Sequence, residues 1–340
     1  MDWLRGLAAS WVTVFHLNEV IPYHATWWQI ICKLGYLGVP IFFVISGWCM
    51  AALADRKPHP GRFIGARLVR ILLPYWASML VVLGVVIIRY LWVGHNDVTI
   101  LPHTAISLIA SMFVVTDPVT SLPTINWVYW SLSYELVFYA LVAFGLLMKR
   151  PALFLLLLLP CTLMAGLQRW DMIEGAPVLY PMFWLNYFPL FCVGYFLCSY
   201  RLHGRIWALC FALIFAAISF RAETVSVCGT GMITALLLYP RWSQNWMPSI
   251  IDKTLTSVGH WSYSLYLIHV PLGVYLFGQF RSERLLTNPF THVIFDLTNL
   301  FFCIFAAAVF HRCVEQPSLR LARLISKQGF VACFRKATPV

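Results

Sequence analysis

The chain reads as an all-α, polytopic integral membrane protein with about ten transmembrane helices and both termini in the cytoplasm. Three observations predict this. First, 61% of its 340 residues are hydrophobic and only 11% are charged, whereas an ordinary soluble domain is roughly half apolar and a quarter charged; the mean hydropathy is +0.77. Second, apolar runs of bilayer length recur along the whole sequence, and the period-two alternation of a membrane barrel is absent. Third, when the runs are counted as ten spans, 18 of the 24 Lys and Arg residues fall on one side, which is the bias of cytoplasmic loops.

The expected spans are 3–21, 34–54, 71–93, 128–148, 151–168, 178–199, 206–220, 224–240, 257–279 and 291–312. The first is read as an uncleaved span, since cleavage would discard Arg5 and His16. The run 104–116 is shorter than the ~17 residues a span needs. If it crossed, Lys149, Arg150 and the basic tail would lie outside, against the positive-inside rule. The segment 94–127 holds no Lys or Arg and carries Asp97 and Asp117, so it is placed on the outer side, with 104–116 as an interfacial or re-entrant helix. Residues 1–328 form one transmembrane domain, and 329–340 form a cytoplasmic tail. The net charge of +11 reflects basic cytoplasmic loops and not a nucleic-acid partner. The ten cysteines form no C-x-x-C and sit mostly in apolar runs, as small packing residues. No metal site is expected.

Polar residues inside these runs carry the chemical information. Arg5 and His16 are eleven residues apart, which is three helical turns plus ~20°, so both fall on one face, roughly 16 Å apart along the axis. Ionisable groups within a span usually face a cavity or pathway, and histidine is the side chain suited to move a proton near neutral pH. Taken alone, the pair is equally well read as a snorkelling anchor and a packed imidazole. Glu135 lies about two turns inside span 128–148, with Ser131 one turn away on the same face. A carboxylate in hydrocarbon needs a partner or a raised pKa, and by itself it serves a structural bridge as well as a site. Ser46 comes to mid-membrane level, and Ser262, Tyr266 and His269 share one face at i, i+4, i+7. Ser46, Ser131 and His269 singly read as packing residues. Together with Tyr266 they form the expected lining of a polar cavity.

Arg67 and Arg70, at i, i+3 before Pro74, stand at the cytoplasmic mouth of span 71–93. Such a pair can grip a phosphate, and by itself reads as a positive-inside cluster. No P-loop, dinucleotide fingerprint, nucleophile elbow or zincin motif occurs.

In order along the chain, DWLRGLAASWVTVFH (2–16), GYLGVPIFFVISGW (35–48), FIGARLVRILLPYW (63–76), NWVYWSLSYELVFY (126–139), GHWSYSLYLIHVPL (259–272) and EQP (315–317) resemble acyltransferase family 3. These are membrane enzymes that O-acylate polysaccharides and related glycans. Against the family pattern the sequence has almost nothing before Asp2, and the esterase-like soluble domain that some members carry is not expected in it. The resemblance implies a cytoplasmic acyl-CoA donor, commonly acetyl-CoA, used as co-substrate with no permanently bound cofactor. It implies a glycan or lipid-linked saccharide acceptor, and a place in the bacterial cytoplasmic (inner) membrane among its lipids. It makes His16 the catalytic histidine, Arg5 its motif partner, and Arg67 and Arg70 donor-binding residues.

The expected reaction is direct transfer. Acyl-CoA docks its phosphates on Arg67 and Arg70, with Arg5 as a further candidate contact, and His16 acts as general base on the acceptor hydroxyl. Glu135 orients or charge-balances His16, and serines help hold the oxyanion. A ping-pong route through acyl-histidine is the variant. The rival from another class is a secondary transporter or flippase, which also places ionisable groups at the midplane; it would show an inverted repeat, and none is visible.

Overall fold

The computed structural model describes residues 1–22, 26–95, 99, 101–169, 183–219, 225–238 and 249–328. Asp97, the start of the expected span at 178–182, Arg241 and the tail at 329–340 lie outside the described residues. Every regular element among them is helical. In order these are α1 (Asp2–Glu19), α2 (Trp27–Lys33), α3 (Gly38–Ala54), α4 (Pro60–Val93), α5 (Ala105–Met112), α6 (Trp130–Leu147), α7 (Pro151–Leu157) and α8 (Leu159–Arg169). They continue with α9 (Phe188–His203), α10 (Ile206–Ser219), α11 (Val225–Leu238), α12 (Ser249–His260), α13 (Ser262–His269), α14 (Glu283–Thr287), α15 (Pro289–Phe310) and α16 (Gln316–Gln328).

Among the described residues, four helical stretches are long and apolar enough to cross a membrane: Trp27–Ala54, Pro60–Val93, Trp127–Leu147 and Pro289–Gln328. The remaining expected spans are shorter or more polar helices. Some are interrupted where the sequence carries proline. The stretch 151–168 divides at Leu158, two residues before Pro160, whose nitrogen has no hydrogen to donate. The stretch 257–279 breaks at Trp261 and opens into a π-turn at Val270–Leu276. There Pro271 cannot bond the carbonyl of Leu267, and the Asn126 side-chain amide donates to that carbonyl instead, at 3.4 Å. The run 104–116 yields only the eight residues of α5, capped by Thr104 and too short to span.

Large apolar side chains point outward along the long helices, with Leu91 80% exposed on α4 and Phe301 71% exposed on α15. Water would oppose that arrangement, whereas lipid favours it.

The chain divides into two compact units built from interleaved segments. The first comprises Met1–Val39, Ile71–Trp130 and Gln244–Ser318; the second comprises Pro40–Arg70, Ser131–Ser243 and Leu319–Val340. In the first, α1 lies against α12 with almost no space between backbones. A methyl at Gly6 would stand 2.1 Å from the Leu255 carbonyl oxygen, and one at Gly259 would stand 1.8 Å from that of Asp2. Only glycine permits such an approach. Leu4, Ala8, Val12 and Leu17 of α1 are buried in the same unit. The second unit repeats the device between α3 and α9: a methyl at Gly47 would meet the Phe191 carbonyl oxygen at 1.9 Å, and one at Gly194 that of Val44 at 2.0 Å. Around this crossing Phe43, Phe138 and Phe191 stack.

The cysteines are free among the described residues; Cys32, Cys192, Cys198, Cys228 and Cys303 are buried, and Cys210 and Cys313 are exposed.

Candidate active site

His16 lies in the last turn of α1 and is buried. Its Nδ1 is 2.8 Å from Glu19 Oε2, one turn further on. A carboxylate oxygen only accepts, so Nδ1 carries the hydrogen and Nε2 presents its lone pair. The His16 side chain is 11% exposed and that of Glu19 48%, so a buried imidazole is coupled to a carboxylate at the surface. Beside it stand the rings of His269, at 5.2 Å between centroids, and Trp127, at 6.2 Å.

His269, at the end of α13, is fully buried. Its Nδ1 donates to the carbonyls of Leu265 (3.0 Å) and Tyr266 (2.9 Å). Its Nε2 is therefore an acceptor, and it has no hydrogen-bond partner among the described residues. Tyr266 OH donates to the Val128 carbonyl. Asn126 caps the 3₁₀ turn at Trp127–Tyr129 through Val128 N, at 3.4 Å. These bonds tie the turn carrying Trp127 to α13. Trp127 also lines a cavity of about 250 Å³ with Asn126, Thr99, Thr124, Pro271 and Tyr275. Arg5 stands on α1 eleven residues before His16.

The end of α1 is fastened by a buried ionic cluster. Asp296 Oδ2, on α15, accepts from Asn18 Nδ2 at 2.7 Å and Trp28 Nε1 at 2.8 Å. Arg281 and His292 approach the same carboxylate at 3.7 and 3.3 Å. Elsewhere in this unit Glu315 of the EQP motif accepts from Ser264 Oγ at 2.6 Å and His311 Nδ1 at 2.8 Å, joining α13 to the turn before α16.

The second unit holds the other polar set. Glu135 on α6 accepts from Ser46 Oγ at 3.1 Å and from the Tyr139 hydroxyl. Ser46 also donates to Tyr139 OH, at 3.4 Å. The Arg67 guanidinium lies 5.8 Å above the Tyr139 ring, so Tyr139 links an arginine of the expected donor site to Glu135. Arg70 follows one turn along α4, and Ser131 is buried one turn before Glu135.

Each unit thus gathers its own part of the expected site: Arg5, His16, Tyr266 and His269 in the first, Ser46, Arg67, Arg70, Ser131 and Glu135 in the second. Glu135, expected to orient His16, bonds Ser46 and Tyr139, and the carboxylate hydrogen-bonded to His16 is Glu19. Sequence reasoning passed over Glu19 and Asp296, and it assigned no role to Trp127 or Tyr139. The i, i+3 spacing of His16 and Glu19 was the available signal for the first. Among the described residues no group of three His, Cys, Asp or Glu could hold a metal ion.

The family model described as an acyltransferase domain, acyltransferase 3, matches residues 1–311. The chain belongs to this acyltransferase family. Among its relatives, the exopolysaccharide production protein ExoZ of Rhizobium meliloti (strain 1021) is 34% identical over 145 residues, 40% of each chain. BcsY of Komagataeibacter xylinus, named as a membrane-bound transacylase, is 29% identical over 154 residues, 42% of this chain and 35% of its own. The chain spans less than half the length of these relatives. No solved structure matches it. As a member of a membrane-integral family, the protein has in its outward-facing apolar helices the surface such a setting requires.

Proposed function

We propose that this acyltransferase moves an acyl group, commonly acetyl, from acyl-CoA to a hydroxyl of a surface or exported polysaccharide, with His16 as general base. The observation that carries the reading is the His16–Glu19 pair. Glu19 holds the Nδ1–H tautomer, which leaves Nε2 as the basic atom. The acceptor hydroxyl gives its proton to Nε2 while its oxygen bonds to the thioester carbonyl carbon. Collapse of the tetrahedral adduct breaks the C–S bond, and the leaving thiolate takes the proton back from the imidazolium. His269 Nε2, a fixed acceptor 5.2 Å away ring to ring, is suited to a second sugar hydroxyl, and Trp127 to a sugar face. Arg67 and Arg70 are assigned to the phosphates of the donor.

The names of ExoZ and BcsY support a polysaccharide acceptor and acyl transfer at a membrane. The side-chain bonds of the second unit support a structured Arg67, held against Tyr139. The test is mass spectrometry of envelope glycans from cells carrying the wild type or His16→Ala. Loss of an acyl increment with normal membrane insertion is the expected result. Unchanged glycan acylation would overturn the proposal.

A further inference from the structure

In the second unit, three connections converge on one large cavity of about 1130 Å³. They join α3 to α4, α6 to α7, and α9 to α10. Their basic side chains line it: Lys57, His59, Lys149, Arg150 and Arg205. All five are exposed. The acid in the lining is Asp55, which is engaged with His203 at 2.8 Å. Lys57, Lys149, Arg150 and Arg205 form no ion pair among the described residues. Positive charge therefore accumulates here without internal compensation.

Two further features restrict what would balance it. Lys57 and Lys149 both hold left-handed backbone, with φ of 48° and 59°. That conformation costs a side-chain-bearing residue of order 1 kcal/mol or more, and glycine would adopt it freely. Apart from Asp55, Tyr195, Ser199 and His203 the rest of the lining is apolar, and its edge stays open to the surroundings: Leu153 is 45% exposed and Trp207 39%. A free polyanion would match the cations and leave this apolar edge uncovered. An amphiphile with a phosphate at its head satisfies both. The loops also carry the Lys and Arg that positive-inside counting assigns to the cytoplasm, where the leaflet supplies anionic lipid, and tryptophan is enriched at that boundary. Basic pockets between helices on this side are suited to phosphate headgroups.

We infer that this cavity binds the headgroup of an anionic phospholipid of the cytoplasmic leaflet, with Lys57, Lys149, Arg150 and Arg205 around the phosphate and the first acyl carbons along Leu153 and Trp207. The site is separate from the residues assigned to the reaction.

The full chain, purified in detergent, is titrated with phosphatidylglycerol or phosphatidylcholine, and bound lipid is counted by native mass spectrometry. Phosphatidylglycerol is expected to bind at least about tenfold more tightly than phosphatidylcholine. Lys149→Gln with Arg150→Gln is expected to remove most of that preference, and Lys149→Arg to keep it. Lys57→Gln with Arg205→Gln, on the other two connections, repeats the test should the first pair fold poorly. Equal binding of both lipids would overturn the inference, as would an unchanged preference in the variants. Displacement of phosphatidylglycerol by coenzyme A would also overturn it and make this a nucleotide site.

Discussion

His16 and Glu19 form a hydrogen-bonded pair on a single helix turn, with Nδ1 and Oε2 2.8 Å apart. Because both belong to α1, their separation depends only on helix geometry and the fastening of the helix end. Glu19→Gln keeps the shape and removes the charge that favours an Nδ1–H donor and a developing imidazolium. Turnover of the acceptor should fall about 10²-fold with little change in KM, the signature of an interaction realised in the transition state. Glycan acylation rates at varied acceptor concentration check this, and Glu19→Asp should recover part of the loss.

Arg67 is proposed to act on the donor. Its guanidinium lies over the Tyr139 ring, a stacking that lysine cannot reproduce. Arg67→Lys should raise the KM for acyl-CoA about tenfold and leave kcat near wild type. Initial rates against donor concentration would show it; a fall in kcat alone would place Arg67 outside donor binding.

The glycine crossings give a prediction about stability. Gly259→Ala puts a methyl 1.8 Å from the Asp2 carbonyl oxygen, so α1 must move. A loss of about 1–3 kcal/mol is expected. Gly84→Ala is the control: nothing lies within 4 Å of its added methyl, and a helical alanine there should be neutral or gain up to about 1 kcal/mol. Denaturant titration of both variants in detergent separates the two.

Asp296 supplies the remaining prediction. Asp296→Ala strips the carboxylate from buried Arg281 and His292 and releases Asn18 and Trp28. A destabilisation of about 3–5 kcal/mol is expected from orphaning buried partners. Asp296→Asn keeps the volume and should cost less. Thermal unfolding monitored by tryptophan fluorescence reads both.

The sequence exposed some of this and hid the rest for physical reasons. Apolar runs specify helices wherever lipid-length stretches occur, so the elements around His16, Glu135 and His269 were legible. So were the overlapping depths of Ser46 and Glu135. The breaks at Leu158 and Val270 were not foreseen, since hydropathy averages over the prolines beside them, and nothing in the apolar pattern marked the break at Trp261. Glu19 was overlooked because it sits at the edge of an apolar run, where a charge looks like a boundary. Asp296 could not be linked to Asn18 at all: 278 residues separate them, and no local spacing encodes a contact of that range. The division of the site residues between two units is likewise a property of long-range packing.

The uneven exposure of His16 and Glu19 bears on how the proposed base would be tuned. In the proposed cycle the thiolate takes the proton back, so Glu19 has only to steady a transient positive charge, and it would do so from an edge where dissolved ions reach it.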